Sequence, residues 1–209
     1  MTLGRSLVLP RRPGKSYVHA ADLFEALTRG LGGWRRARLR CHARLESGAL
    51  ALPIEEARGG ACPMAQLRFT DMGAREAQEL LLIPMSQQPS PISSQPIDEE
   101  ALLAGGQLHA AGFAFQERDR SQPFGLKIVT AALEVLWDLF PEEEWLLVEM
   151  DLPNPAGWRP GGGFRINLTR RLGRRFVFFV VEHAGDSVGS LQFCRHQPSP
   201  IAPGTSVAR

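Results

Sequence analysis

Residues 161–195 read GGGFRINLTRRLGRRFVFFVVEHAGDSVGSLQFCR, and this stretch decides the fold. Phe164, Ile166 and Leu168 alternate with Arg165, Asn167 and Thr169, the two-residue period of a strand with one buried face. A turn around Gly173 sends the chain back through an apolar run over 176–182, and Ala184-Gly185-Asp186-Ser187 reverses it again into 188–194. The spacing predicts an antiparallel meander. Just upstream, 126–140 carries the apolar pattern of a long helix, and 145–152 reads as a strand.

The first half of the chain repeats this order of elements. Leu23, Phe24, Leu27 and Leu31 fall on one helical face over 20–31, and the glycines at 30, 32 and 33 end the pattern. In 38–45, Leu39, Cys41, Ala43 and Leu45 point one way and Arg38, Arg40, His42 and Arg44 the other. Further strands are expected over 64–70 and 77–85, and one over 107–115 in the second half. Between the halves, SQQPSPISSQP (86–96) has the composition of an exposed connector. The expected division is an N-terminal half over 1–86, a connector over 87–97, a C-terminal half over 98–197 and a disordered tail over 198–209. Helix followed by strands, twice, suggests a duplicated unit and an α+β fold.

Composition limits what such a chain can do. Its 209 residues, 44% of them hydrophobic, can bury a sizeable core, and the formal charge of +2 gives no whole-chain case for a nucleic-acid or membrane-surface protein. Lys15 and Lys127 are the only lysines among 24 basic residues, a bias that weakens any argument from clustered arginines. The strip Arg35, Arg36, Arg38, Arg40 and Arg44, headed by Trp34, is either a solvated strand face or a footprint for a phosphopantetheine arm, an acidic carrier protein or RNA. Cys41, Cys62 and Cys194 lack paired spacing, no apolar run reaches the 18 or so residues of a membrane span, and a cytoplasmic protein is expected. The five histidines show no metal-ligand spacing, so neither metal nor cofactor is expected. Gly161-Gly162-Gly163 lacks the Lys-Ser/Thr and helix of a phosphate loop, and no serine sits in a nucleophile elbow.

Two short segments carry a family resemblance. YVHAADLFEAL (17–27), with Val18-His19 followed by acidic residues, resembles the opening of the A-factor biosynthesis hotdog proteins. PFGLKIVTAALE (123–134) is similar to the start of the central helix in hotdog 3-hydroxyacyl-thioester dehydratases. With the repeated order of elements, the chain resembles the double hotdog proteins, which implies two hotdog-like repeats, each a curved antiparallel sheet around a central helix. It also implies an acyl thioester as ligand, carried on acyl-CoA or an acyl-carrier protein, and self-association through sheet edges.

The departures bear on chemistry. When Gly125 is set on the helix-opening glycine of those dehydratases, Gln116 takes the place of their histidine and Thr130 that of their carboxylate. Neither side chain is a base near neutral pH, so ordinary dehydration is not expected. Gln116 and Thr130 can still donate hydrogen bonds to a carbonyl, and the amides that open the helix at Gly125 can receive a thioester oxygen. His19 and Glu25 are the candidate acid and base. Six residues apart, they would diverge on one continuous helix, so pairing requires His19 to precede the helix; otherwise His19 is a helix-entry residue and Glu25 a solvated one. Three functions stay open: a hotdog-type protein acting on or binding an acyl thioester, a catalytically silent scaffold subunit, and a basic-face RNA binder, with nucleic acid the least expected partner.

Overall fold

The structure, a computed structural model, describes residues 5–8, 18–29, 31, 33–43, 48–57, 62–73, 76–85, 98–116, 123–157 and 162–196. The expected connector and tail, Tyr17 and Arg44 lie outside the described residues. The helices are α1 (Ala20–Arg29), α2 (Glu99–Leu102) and α3 (Phe124–Leu139). The strands of the first half are β1 (Arg5–Val8), β2 (Trp34–Cys41), β3 (Gly48–Pro53), β4 (Ala65–Asp71) and β5 (Ala77–Pro84). Those of the second are β6 (Gln107–His109), β7 (Gly112–Gln116), β8 (Trp145–Pro153), β9 (Gly163–Leu172), β10 (Phe176–His183) and β11 (Asp186–Arg195).

All the described strands join one 11-stranded antiparallel sheet in the order β1-β3-β5-β4-β2-β8-β11-β10-β9-β7-β6. The meander is present as read: β9, β10 and β11 are neighbours, with Val177 opposite Arg171 on one side and Phe193 on the other. Its second turn is a two-residue loop in which Ala184 and Gly185 both take positive φ, the geometry that matches the twist of the strands it joins. The halves meet where β2 pairs with β8, from Arg36 opposite Pro153 to Arg40 opposite Glu149. This seam removes two edges that would otherwise be exposed.

The sheet departs from the expected strands in four places. The expected strand over 107–115 is the hairpin β6-β7, because Ala110 and Ala111 turn between His109 and Gly112. An Ala-Ala pair gives no turn signal. The strand expected from residue 38 starts at Trp34, where an irregularity against β4 between Trp34 and Arg36 turns both Arg35 and Arg36 outward and breaks the alternation. The strands β1 and β3 are additional, and so is the short α2, capped by the Asp98 carboxylate accepting from the amide of Ala101. Finally, the halves differ in strand order. In the second half the chain runs β9-β10-β11 across neighbouring positions, whereas in the first β5 lies between β3 and β4.

The helices pack on the sheet and on each other. On α1 the face formed by Leu23, Phe24 and Leu27 is buried, and α1 touches β2, β8 and α3. Helix α3 is buried nearly all round through Leu126, Ile128, Val129, Ala131, Ala132, Val135 and Leu136, the pattern of a helix central to a core. It rests on β7, β8 and β9. These side chains belong to one hydrophobic cluster that runs through both halves.

The arginine strip has a structural role at the seam. Arg38 Nη2 and Arg40 Nε donate to the two oxygens of Glu149 at 2.6 and 2.8 Å, and Arg36 Nε donates to Asp151 Oδ1 at 2.7 Å. The charges of these three arginines are met by carboxylates of β8, so they do not form an unpaired row of cations. All three side chains are about half exposed, so the gain is small. Glu149→Gln is expected to cost no more than about 1 kcal/mol in denaturant unfolding, and less at high salt. A salt-independent loss of several kcal/mol would mean that the seam depends on these pairs.

Candidate active site

Pro123, the residue before α3, offers no side-chain cap, so the first amides of the helix need another acceptor. The acceptor comes from α1. Glu25 Oε1 receives the amide of Gly125 at 2.6 Å, and the amide of Leu126 also acts on the carboxyl group. The contact is close: a Cβ at Gly125 would lie 2.9 Å from Glu25 Oε1 and 3.0 Å from Phe24 Cδ1, so any larger residue there would have to displace the carboxylate. At this contact between the two helices, a carboxylate of one meets the positive end of the other.

Around this contact lies a groove of about 450 Å3. Phe24 and Trp34, packed edge to face with ring centroids 6.0 Å apart, form one apolar wall, and Leu152 and Pro153 extend it. Asn154 shapes the rim. It donates from Nδ2 to the Trp34 carbonyl at 2.6 Å and accepts from the amide of Ala156 at 2.9 Å, which ties the end of β8 to the start of β2. Thr28 and Arg29 complete the lining, with the Thr28 hydroxyl donating back to the Phe24 carbonyl at 2.8 Å.

Burial pushes the Glu25 carboxyl above its ordinary value of 4.5, and this outweighs the amides of Gly125 and Leu126 and the charge of Arg29, which pull it down; Asp22 adds a small push upward. The folded state therefore holds the Glu25 proton more tightly than the unfolded chain does. It follows that this group's contribution to stability is complete below about pH 4.5 and is lost as pH rises through its raised value. Glu25→Gln keeps an acceptor for Gly125 without the charge. Its melting temperature relative to wild type should accordingly be higher at pH 7 than at pH 4. A difference that does not change with pH would mean that Glu25 is not burdened by burial.

The five residues singled out in the sequence do not share one site. Glu25 and Gly125 come together. His19 immediately precedes α1, its Nδ1 accepting from the amide of Ala21 at 3.4 Å, and it lines a different cavity from Glu25. Gln116 ends β7 beside Gly163, in a third depression that includes Arg165 and Glu182. Thr130 is buried within α3, and its hydroxyl has no hydrogen-bond partner among the described residues. Arg29 and Asn154 are additional to the sequence reading. Arg29 had a signal, four residues after Glu25 on the same helix. Asn154 had none, since only the pairing of β2 with β8 brings it to the groove.

No protein-family model and no curated protein matches this sequence. Solved structures do resemble it. A 12:0-ACP thioesterase from Umbellularia californica is similar over 92% of this chain and 96% of its own, at 11% identity and a TM-score of 0.47. An acyl-ACP thioesterase from Bacteroides thetaiotaomicron is similar over 91% of this chain and 96% of its own, at 8% identity and a TM-score of 0.45. A conserved hot dog fold protein from Alicyclobacillus acidocaldarius covers 89% of each chain, at 8% identity and a TM-score of 0.40. The likeness is structural, at low identity.

Proposed function

We propose that the chain consists of two hotdog-like repeats and acts on an acyl thioester in the groove between Glu25 and the start of α3. The observation that carries this reading is the 2.6 Å contact between Glu25 Oε1 and the amide of Gly125. It brings a carboxylate and backbone donors to the same place, which is what acyl transfer to water requires: a base for the nucleophile and donors for the oxygen that gains charge. In support of the repeats, each half supplies one long helix and the strands that follow it, and the two first strands after those helices, β2 and β8, form the seam.

The thioester carbonyl oxygen replaces Glu25 at the amides of Gly125 and Leu126. The displaced carboxylate takes a proton from a water, which attacks the carbonyl carbon. The carbon–sulfur bond then breaks, and the proton returns from Glu25 to the departing thiolate, leaving a carboxylic acid and a thiol. Phe24, Trp34, Leu152 and Pro153 line the groove for the apolar part of the substrate, and Arg29 supplies a positive charge for the anionic carrier. Gln116 and Thr130 line no part of this groove, so their role in binding would be exerted from outside it.

The same contact favours a second reading, a binding subunit without turnover, because an amide already satisfied by Glu25 gains less from a substrate carbonyl. Thiol release from a panel of acyl-CoA and acyl-carrier thioesters, with calorimetric binding alongside, separates the two. Turnover supports the enzyme, and tight binding with no thiol release supports the silent subunit. Absence of both would overturn the acyl-thioester reading.

A further inference from the structure

Strand β8 keeps hold of β2 one residue beyond its last ladder partner. Pro153 lies opposite Arg36, and Asn154 follows it. The Asn154 backbone amide donates to the Arg35 carbonyl at 2.9 Å, its Nδ2 donates to the Trp34 carbonyl at 2.6 Å, and its Oδ1 accepts from the amide of Ala156 at 2.9 Å. Neither neighbour can share this task. Asn154 stands between Pro153 and Pro155, which have no N–H, and the proline after it disfavours helical backbone at Asn154.

The clamp sits where β2 is irregular. Between Trp34 and Arg36 the register against β4 shifts, leaving Arg35 and Arg36 exposed and Trp34 buried. At this break, Asn154 fixes the carbonyls of residues 34 and 35 from the β8 side. Trp34 is also the groove wall packed edge to face on Phe24, the residue before Glu25. The hydrogen bonds of Asn154 go to β2 and to Ala156, not to Glu25 or to the opening amides of α3. Asn154 therefore acts on the apolar wall of the groove and leaves the carboxylate and its amides to themselves.

We propose that Asn154 is a positioning residue that sets the groove's preference for a long acyl chain over a short one, by holding the Trp34 wall in place through the carbonyls of Trp34 and Arg35. The inference rests on the reading of the groove as an acyl-thioester site. A long chain gains from an ordered apolar wall in proportion to the surface it covers there, whereas an acetyl group covers almost none. The carrier is the same for both and does not discriminate.

Decanoyl-CoA and acetyl-CoA, offered to the full chain, test it. Affinity is read as KM from thiol release, or as Kd by calorimetry where no thiol is released, with melting curves alongside. Wild type should prefer decanoyl-CoA, and Asn154→Ala should cut the ratio of the two affinities by about tenfold, the loss appearing in KM or Kd and not in kcat. Asn154→Asp keeps the acceptor for Ala156 and removes only the donor to Trp34, so it should cut the ratio similarly; its added charge faces the same carrier in both ligands and cancels. This second variant, close in shape to the native residue, decides the question where Asn154→Ala does not fold. Equal weakening of both ligands, an unchanged ratio, or a fall in kcat alone would overturn the proposal and leave Asn154 a structural tie, while the groove reading stands on wild-type binding. A wild type that binds both ligands equally would overturn the proposal alone. A wild type that neither binds nor cleaves either ligand would overturn the groove reading and this inference with it.

Discussion

Glu25→Gln is expected to lower the rate of acyl-thioester hydrolysis by about 10²- to 10⁴-fold, the usual contribution of a general base, while the protein stays folded. Folding should survive because the Gln side-chain oxygen can accept from Gly125, as Glu25 Oε1 does at 2.6 Å. What the variant lacks is the capacity to take a proton from water. In the wild type that capacity appears only once the carboxyl is ionised, so the rate should rise with pH through a midpoint above the ordinary 4.5, because burial favours the protonated form. The measurement is a pH profile of thiol release for both proteins, with melting curves run in parallel. Wild-type rates in Glu25→Gln would remove Glu25 from the chemistry and leave it as the cap of α3.

Leu136→Ala is the second change with a large expected effect. Leu136 is fully buried on α3, and its truncation should cost about 2–5 kcal/mol through lost burial and the space left behind. The position of the loss matters as much as its size. A reading of two independent halves would confine the damage to the C-terminal one. The structure instead runs a single sheet through the β2–β8 seam and a single hydrophobic cluster through both halves, so denaturant unfolding should stay one transition shifted to lower midpoint. Two resolved transitions, with only one moved, would show that the halves unfold separately.

Most of the second half could be read from residue order because its contacts are local. Strands β9, β10 and β11 follow one another through short turns, and the alternation from Phe164 to Leu168 and the Ala184-Gly185 turn describe pairings between near neighbours. The first half was less legible. Strand β3 is short, β1 pairs with it across a long separation in sequence, and β5 inserts between β3 and β4 although β4 precedes it. Periodicity reports which face of a strand is buried, not which strand lies beside it.

The candidate site divides along the same line. Residue order alone placed Gly125 near the start of a long helix and Glu25 on the first helix, and showed that Gln116 and Thr130 are not bases. The tertiary structure decided that Glu25 and Gly125 meet across 100 residues of chain while His19 and Gln116 go to other depressions. The physical reason is that α1 and α3 pack side by side, so the end of one helix lies beside the middle of the other. A carboxylate on α1 can then satisfy amides that α3 cannot satisfy within itself, and no spacing along a single segment encodes that meeting.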